Sequence, residues 1–479
     1  MNAAPLPDGL VAIVKRDCPT CRLVEPVLAD LADGALPLTV YSQDDPTFPD
    51  GVKVVDDTEL EVSFALELET VPTLLHVDGG EIVSRTEGWL RPEWEALTGR
   101  APLGAGLPEY RPGCGSRTVD PDIAAARSDA AGAARLGSRR VDLGEHEDDV
   151  EAAFERGWTD GLPVVPPTPE RVARMLTGTT RDPDDVVAVV PPDLVECTVE
   201  KVAINAVLAG CKPEYLPVVI TAVEAACTDE FNIHGLLATT YFSGPVLIVN
   251  GPITKAIGMN AGINVLGQGN RANATIGRAL QLVVRNVGGG RPGGVDRATL
   301  GNPGKYTFCF AEDEAGSPWE PLHVERGLAP DASAITLFAG DGVRGMVDQL
   351  SREPESLARS LAACLRAVPH PKMALGFDVV VVVSPEHGRV FREGGWSKAR
   401  LRDELLAMLQ LDGDDVIRGA GGIAEGLPEG LAGATVPKFG DDGLLLVHAG
   451  GGAGLFSAII GGWINGPGGS QPVTREVRP

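Results

Sequence analysis

The sequence lacks any apolar run of the roughly 18 residues that a membrane-spanning helix requires. Its opening residues, Met1 to Asp8, also lack the basic segment and long apolar core of a secretory signal. Both absences argue against a membrane partner. We therefore expect a cytoplasmic protein.

Basic residues are scarce relative to acidic ones. The chain has 41 Lys and Arg against 66 Asp and Glu, which gives a net charge of −25. Phosphate backbones attract basic surfaces, so we expect no nucleic-acid partner. The composition does not exclude that the protein forms a homo-oligomer.

Cysteine is also infrequent, with eight residues in a chain of 479. They are widely spread apart from one close pair, Cys18 and Cys21. Cytoplasmic proteins keep such cysteines as thiols, so the pattern does not indicate a disulfide framework.

The length predicts more than one domain, and the composition changes twice along the chain. We predict a first domain over residues 1–100, a linker over 101–147, and a large domain of one body or two lobes over 148–479. The linker prediction rests on a mixture of Ala, Gly, Arg and Asp with little periodicity.

We predict an α/β fold for both domains. The first has a β–α–β unit followed by a hairpin and a helix, with strands predicted at 10–14, 37–41, 70–77 and 82–84 and helices at 22–32 and 92–97. In the second, helices predicted at 170–176, 199–209, 213–226, 272–287, 356–367 and 398–409 alternate with strands at 186–190, 246–250, 306–310, 334–338, 379–383 and 444–448. This alternation predicts a buried sheet that is mostly parallel or mixed.

The close cysteine pair forms the motif Cys18-Pro19-Thr20-Cys21 between a predicted strand and a predicted helix. A thiol at a helix N-terminus is favoured as a thiolate, and a second thiol one turn later can attack a mixed disulfide. Lys15 and Arg16 could add to this stabilisation, whereas Asp17 works against it. A zinc site would need a second pair, and Cys114 has no neighbouring cysteine, so we predict no metal.

Over about ninety residues this pattern resembles the thioredoxin family: a strand, the CPTC motif, a helix, and Val71-Pro72 about fifty residues later. The resemblance implies a thioredoxin fold, a cis bond before Pro72, and a redox-active disulfide between Cys18 and Cys21. The usual Trp before the first cysteine is Asp17 here, and the dipeptide is Pro-Thr rather than Gly-Pro. A thioredoxin fold kept only as a docking scaffold is the alternative.

Cys114-Gly115-Ser116-Arg117 resembles the motif of UGSC selenoproteins, in which a selenocysteine or cysteine opens a Gly-Ser-Cys tetrapeptide. Arg117 stands where that family has its last cysteine. The resemblance implies a catalytic Cys114, and the alternative is a linker thiol without a role. The blocks 157–168 and 231–240 resemble uncharacterised bacterial proteins found with such modules, a similarity that implies no activity.

The loop before the predicted helix 272–287 is rich in glycine and precedes two basic residues, Arg271 and Arg278. Loops of this kind present N–H groups to an anion, so we predict substrate binding by Asn270, Arg271 and Arg278. A tight turn with Asn270 as a helix cap is the alternative. No strand precedes the loop, which excludes a dinucleotide site.

Strand ends in open α/β sheets collect ligands, so Asn250 and His448 are further predicted substrate-binding residues. His234 joins them as an acid–base candidate, alongside His323, Glu312 and Glu320. Hydrogen-bonded core residues are the alternative, because no metal or catalytic spacing is present.

These observations lead to one main hypothesis and two alternatives. We predict a thiol-dependent oxidoreductase in which the dithiol serves a small-molecule substrate in the large domain, with an external thiol or disulfide reductant and no cofactor other than the redox-active disulfide. A lyase or transferase acting on a small organic or sulfur-containing substrate is the first alternative. A non-catalytic assembly factor is the second.

Overall fold

The computed structural model describes residues 6–120, 123, 136–141, 143 and 148–478. The chain divides into two compact units, Met1–Ala134 and Arg135–Pro479, and both are α/β. No helix within the described ranges is long and apolar enough to span a bilayer.

The first unit is built around a five-stranded sheet. Its helices and strands are β1 (Gly9–Val14), α1 (Pro19–Ala32), β2 (Leu38–Ser42), β3 (Val54–Asp56), α2 (Glu61–Ala65), β4 (Thr70–Val71), β5 (Thr73–Asp78), β6 (Glu81–Glu87), β7 (Trp89–Leu90), α3 (Arg91–Thr98), β8 (Tyr110–Arg111) and β9 (Cys114–Gly115), followed by a 3₁₀ turn at Arg117–Val119. The predicted order of strand, helix, strand, hairpin and helix is confirmed.

Strand β1 lies in the middle of the sheet, and every one of its residues is buried. The sheet order is β3-β2-β1-β5-β6, with β1 parallel to β2 and antiparallel to β5. Helix α1 packs its apolar stripe, including Val24 and Leu28, into the core that β1 and β5 also line. The sheet therefore holds the start of α1 at the end of its central strand.

The predicted linker is wrong for residues 101–120. Leu103 is buried in the core of the first unit, β8 pairs with β7, and β9 pairs with β4. These pairings join residues far apart in sequence, so the local composition could not indicate them. Most of residues 121–147 lies outside the described residues.

The second unit begins with helices and a small hairpin. They are α4 (Asp149–Glu155), α5 (Pro169–Leu176), β10 (Val186–Val190), β11 (Val195–Thr198), α6 (Val199–Ala209), α7 (Leu216–Ala226) and α8 (Ile233–Ala238), with a 3₁₀ turn at Pro213–Tyr215. The predicted strand at 186–190 pairs only with β11, in a two-stranded sheet apart from the main one.

The main sheet and its helices follow. They are β12 (Gly244–Asn250), α9 (Ile253–Ala256), α10 (Arg271–Asn286), β13 (Cys309–Ala311), α11 (Leu322–Glu325), β14 (Ala334–Val347), α12 (Pro354–Leu365), β15 (Phe377–Val383), α13 (Pro385–Glu393), α14 (Lys398–Met408), β16 (Gln410–Asp412), α15 (Gly413–Val416), β17 (Thr435–Pro437), β18 (Leu444–His448), β19 (Phe456–Ile464) and β20 (Val473–Glu476), with 3₁₀ turns at Pro303–Lys305, Ala420–Gly422 and Glu429–Leu431.

One continuous sheet of seven strands connects the two halves of this unit. Its order is β13-β12-β14-β19-β15-β18, with β20 on β14. Only β12–β13 and β15–β18 are parallel; the other four pairings are antiparallel. The sheet is mixed, and a mostly parallel arrangement is wrong.

Alternating residues of the main sheet enter different cores, as the two-residue period of a strand requires. Val246 and Ile248 of β12 share one core with Val380 and Val382 of β15, whereas Leu247 packs into a separate helix-lined core. The sheet curves so far that its outer strands β13 and β18 meet at their carboxyl ends. There the Asp313 N–H donates to the His448 carbonyl oxygen, 2.8 Å away.

Candidate active site

Cys18 occupies the N-cap position of α1, directly after the turn that follows β1. Its Sγ accepts a hydrogen bond from the Cys21 N–H at 3.3 Å, and Pro19 stands at the first helical position, where a missing N–H costs nothing. The helix N-terminus thus directs its free N–H groups at the Cys18 sulfur, which favours the thiolate.

The charge of Cys18 depends on two other thiols. A hydrogen bond from the Cys21 thiol, opposed by burial and assisted by a hydrogen bond from the Cys114 thiol, lowers the pKa of Cys18 to about 5. Burial and the hydrogen bond to Cys18 raise the pKa of both Cys21 and Cys114. At neutral pH the cluster therefore carries one thiolate, on Cys18, and two protonated thiols beside it.

The charged residues before the motif act elsewhere. Arg16 pairs with Asp45 at 2.7 Å, and the Asp17 side chain is 94% exposed, with Arg22 3.9 Å away. The Lys15 backbone N–H, rather than its ammonium, approaches the dithiol, 3.5 Å from the Cys21 Sγ. The Cys18 pKa depends first on the Cys21 thiol, then on burial, the Cys114 thiol and two backbone N–H groups, and not on these side chains.

Cys114 reaches this site through a strand pairing. It lies opposite Val71 in the antiparallel pair β4–β9, and the Val71 carbonyl oxygen is 3.6 Å from the Cys18 Sγ. The peptide bond from Val71 to Pro72 is cis, as the resemblance implies. Cys18, Cys21 and Cys114, the three predicted catalytic cysteines, therefore meet at one place, and all three are free thiols.

Residues 108–119, which we call the covering segment, contact the rest of the first unit along their whole length. The Thr20 hydroxyl donates to the Pro112 carbonyl oxygen at 2.7 Å, and Gln43 Nε2 donates to the Ser116 hydroxyl at 2.7 Å. Thr118 donates to the Leu68 carbonyl oxygen. Thr20, Gln43 and Ser116 were not predicted as supporting residues, because no local sequence pattern indicates such distant partners.

In the second unit, the three residues predicted to bind an anion all make contacts within the unit. Asn270 caps α10 by accepting from the Asn273 N–H at 3.0 Å, and the Arg271 Nε donates to the Gly210 carbonyl oxygen at 2.9 Å. Arg278 makes a two-pronged ion pair with Asp160, each contact 2.8 Å. The cap alternative is thus confirmed for Asn270, and Arg278 is committed to an internal carboxylate.

Two of the other predicted residues do meet, at the curved edge of the main sheet. Asn250 ends β12 and its Nδ2 donates to Glu312 Oε2 at 2.7 Å, while the His448 N–H at the end of β18 lies 3.5 Å from Glu312 Oε1. The Leu322 N–H donates to Glu312 at 2.8 Å. Burial raises the pKa of Glu312, so this carboxyl holds a proton more readily than an exposed one.

The surroundings of Glu312 include two buried histidines. His448 Nδ1 lies 3.3 Å from the Asp313 carbonyl oxygen, and burial lowers the pKa of His448. His323 is fully buried, and its Nδ1 lies 3.9 Å from Glu314 Oε1. His234 is exposed on α8 and, within the described residues, makes no hydrogen bond to this group.

Within the described parts of the chain, no group of three or more His, Cys, Asp or Glu side chains could hold a metal ion. The thiol cluster is a candidate for thiol exchange, and the Glu312 cluster is a candidate for proton transfer. In comparisons with known proteins, no protein-family model, no curated protein and no solved structure matches this chain.

Proposed function

We propose that this protein is a thiol–disulfide oxidoreductase whose redox centre is the Cys18–Cys21 dithiol. The observation that carries the proposal is the Cys18 sulfur at the start of α1, which accepts a hydrogen bond from the Cys21 N–H and has a pKa of about 5. A thiolate populated at neutral pH is the reactive form of cysteine in exchange reactions.

The strand order and the cis bond at Pro72 support a thioredoxin-like identity for the first unit. In the proposed reaction, the Cys18 thiolate attacks one sulfur of a substrate disulfide and displaces the other as a thiolate. Cys21 then attacks the Cys18 sulfur of the mixed disulfide, releases the second substrate thiol and leaves a Cys18–Cys21 disulfide. An external dithiol returns this disulfide to two thiols.

The test measures both redox state and turnover in the full-length protein. Equilibration in mixtures of reduced and oxidised dithiothreitol should convert the peptide of residues 17–22 between forms that differ by two hydrogens, as read by mass spectrometry. The protein should also accelerate the reduction of insulin disulfides by dithiothreitol, which is followed by turbidity.

Cys18→Ser should lower this acceleration at least tenfold, because the attacking sulfur is gone. Cys364→Ser is the matched control: Cys364 is the exposed cysteine of the second unit and should leave the rate unchanged. Wild-type acceleration by the Cys18→Ser protein would remove the proposal.

One observation favours a second candidate, a lyase or transferase that needs no redox step. Glu312 is a buried carboxyl with a raised pKa beside His448, and such groups transfer protons in catalysis. A thermal-shift panel of small amines and neutral sulfur compounds would test it. Stabilisation that survives alkylation of all accessible thiols but disappears in Glu312→Gln would favour this candidate.

A further inference from the structure

The covering segment leaves the dithiol without a direct route to solvent. Cys18 and Cys21 have no exposed surface, and Thr20 beside them is bonded to Pro112 of the segment. Cys114, in the same segment, is partly exposed. The thiol that solvent can reach is therefore not the thiol that is best prepared to react.

We propose that Cys114 is the thiol through which the buried dithiol exchanges electrons with an external low-molecular-weight disulfide. This inference rests on the proposed redox function of Cys18 and Cys21. It adds a third sulfur to that reaction and replaces the direct attack of Cys18 on the substrate with a first attack by Cys114.

The geometry supports this role in two ways. Cys114 pairs with Val71, whose carbonyl oxygen lies 3.6 Å from the Cys18 Sγ, so the strand pairing itself brings Cys114 alongside Cys18. The segment is also held on both sides of Cys114, by Thr20 at Pro112 and by Gln43 at Ser116. A sulfur held next to a thiolate by two anchors is positioned for exchange.

In the first step Cys114 reacts with the external disulfide RS–SR. The Cys18 thiolate accepts the Cys114 proton along their hydrogen bond, and the Cys114 sulfur attacks RS–SR to form Cys114–S–SR and RS⁻. The displaced RS⁻ takes the proton from Cys18 and leaves as RSH, which restores the Cys18 thiolate. A thiol of higher pKa is the stronger nucleophile once it is deprotonated, which suits Cys114 to this attack.

In the second step the Cys18 thiolate attacks the Cys114 sulfur, forms a Cys18–Cys114 disulfide and releases a second RS⁻. In the third, Cys21 gives its proton to that RS⁻ and attacks the Cys18 sulfur, which forms the Cys18–Cys21 disulfide and frees Cys114 as a thiolate. One external disulfide becomes two RSH: the two electrons come from Cys18 and Cys21, and the two protons come from Cys114 and Cys21. A dithiol reductant such as dithiothreitol reverses the final state.

The experiment follows a single turnover of the full-length protein in a Cys364→Ser background, which removes the exposed thiol. The reduced, desalted protein is mixed with one molar equivalent of 5,5′-dithiobis(2-nitrobenzoate), and the absorbance counts the equivalents of thiolate that are released. Trypsin separates Cys18 and Cys21, in residues 17–22, from Cys114, in residues 101–117, so mass spectrometry identifies each product.

The parent protein should release two equivalents in a fast phase. Cys114→Ser should slow that phase at least tenfold, while its hydroxyl can still donate to Cys18; thiolate absorbance at 240 nm checks that Cys18 stays ionised. Cys18→Ser should release one equivalent and carry the adduct on Cys114. Cys21→Ser should release two equivalents and leave the peptides 17–22 and 101–117 joined by a disulfide.

An undiminished fast phase in Cys114→Ser, or no joined peptides in Cys21→Ser, would overturn the role of Cys114 and leave the proposed function intact. Two fast equivalents from Cys18→Ser would instead overturn the proposed function itself. The two failures are therefore distinguishable in one set of variants.

Discussion

Cys114 helps to lower the pKa of Cys18, although the two residues lie near opposite ends of the first unit's sequence. The pairing of β9 with β4 brings the two residues together, and no local motif contains both sulfurs. The dithiol therefore belongs to a cluster of three sulfurs. The properties of this cluster depend on how the covering segment packs against the rest of the first unit.

The ionisation of Cys18 should occur near pH 5, far below the ordinary thiol value of 9.0. Because the folded pKa is depressed, the thiolate is present above that pH and is lost as the pH falls through it. Absorbance at 240 nm, measured from pH 3.5 to 8 as a difference between wild type and Cys18→Ser, should show a step centred near 5.

The same titration tests the contribution of Cys114. Cys114→Ala removes a donor to the thiolate and should raise the midpoint by about one pKa unit, the size expected for a hydrogen bond to a charged group. Cys114→Ser keeps a donor and should raise it less. Identical midpoints in wild type and the alanine variant would contradict the hydrogen bond.

Gly113 should be intolerant of a side chain. A Cβ at this position would lie 2.2 Å from the Thr70 methyl group and 2.9 Å from the Val71 carbonyl oxygen, so Gly113→Ala must displace the covering segment. We expect a loss of about 1–3 kcal/mol of unfolding free energy and faster alkylation of Cys18 by iodoacetamide.

Gly115→Ala is the matched control for that variant. Its nearest neighbour would be a Val119 methyl group at 3.5 Å, an ordinary contact. Stability and Cys18 alkylation should match the wild type. Equal behaviour of the two alanine variants would show that close packing at Gly113 does not hold the segment.

The ion pair between Arg278 and Asp160 should contribute strongly to the second unit. The side chains are 13% and 11% exposed, and Arg278 also donates to the Pro163 carbonyl oxygen at 2.9 Å. Removing one partner of a nearly buried pair costs about 3–5 kcal/mol, so Arg278→Ala should shift the urea midpoint markedly. Arg278→Lys should recover only part, since lysine cannot make the two-pronged contact.

A surface pair provides the comparison. Arg478 and Glu476 lie 3.4 Å apart with both side chains more than 40% exposed, so Arg478→Ala should cost at most about 0.5 kcal/mol in urea unfolding. A similar cost for the two arginine-to-alanine variants would mean that burial does not strengthen the Asp160 pair.

Glu312 should be structurally important whether or not it is catalytic. Glu312→Ala removes the acceptor of the Leu322 N–H and of the His448 N–H, and one of the two acceptors of the Asn250 amide, at the meeting point of β13 and β18. Unsatisfied buried donors cost about 1–3 kcal/mol each, and a loss of several kcal/mol in urea unfolding is expected. Glu320→Ala, at an exposed position, should be nearly neutral.

Most helices were predictable because each is specified by neighbours three and four residues apart. The prediction at 199–209 coincides with α6, and that at 398–409 with α14 to within one residue. Strand β19 was missed because Gly461 and Gly462 interrupt its apolar pattern; there Gly462 packs against the Asp378 backbone. The need for glycine at this position is seen only in the tertiary structure, where β19 lies beside β15.

The candidate sites also divide into those that a local sequence pattern predicts and those that only the tertiary structure shows. The CPTC motif identified the dithiol, because a strand, two cysteines and a helix are contiguous in the chain. Arg278 looked like an anion ligand until its partner Asp160 was known, and Glu312 became the centre of a cluster only when the sheet curved.

Local patterns in the sequence were enough to predict the α/β class, most of the helices and the position of the CPTC motif at the start of a helix, since each depends on residues within a few turns of one another. Only the tertiary structure decided that residues 101–120 pack onto the first unit, that Cys114 meets Cys18, and that the main sheet is mixed. Those features depend on contacts between distant segments, which are chosen by burial and pairing across the whole fold rather than by local preference.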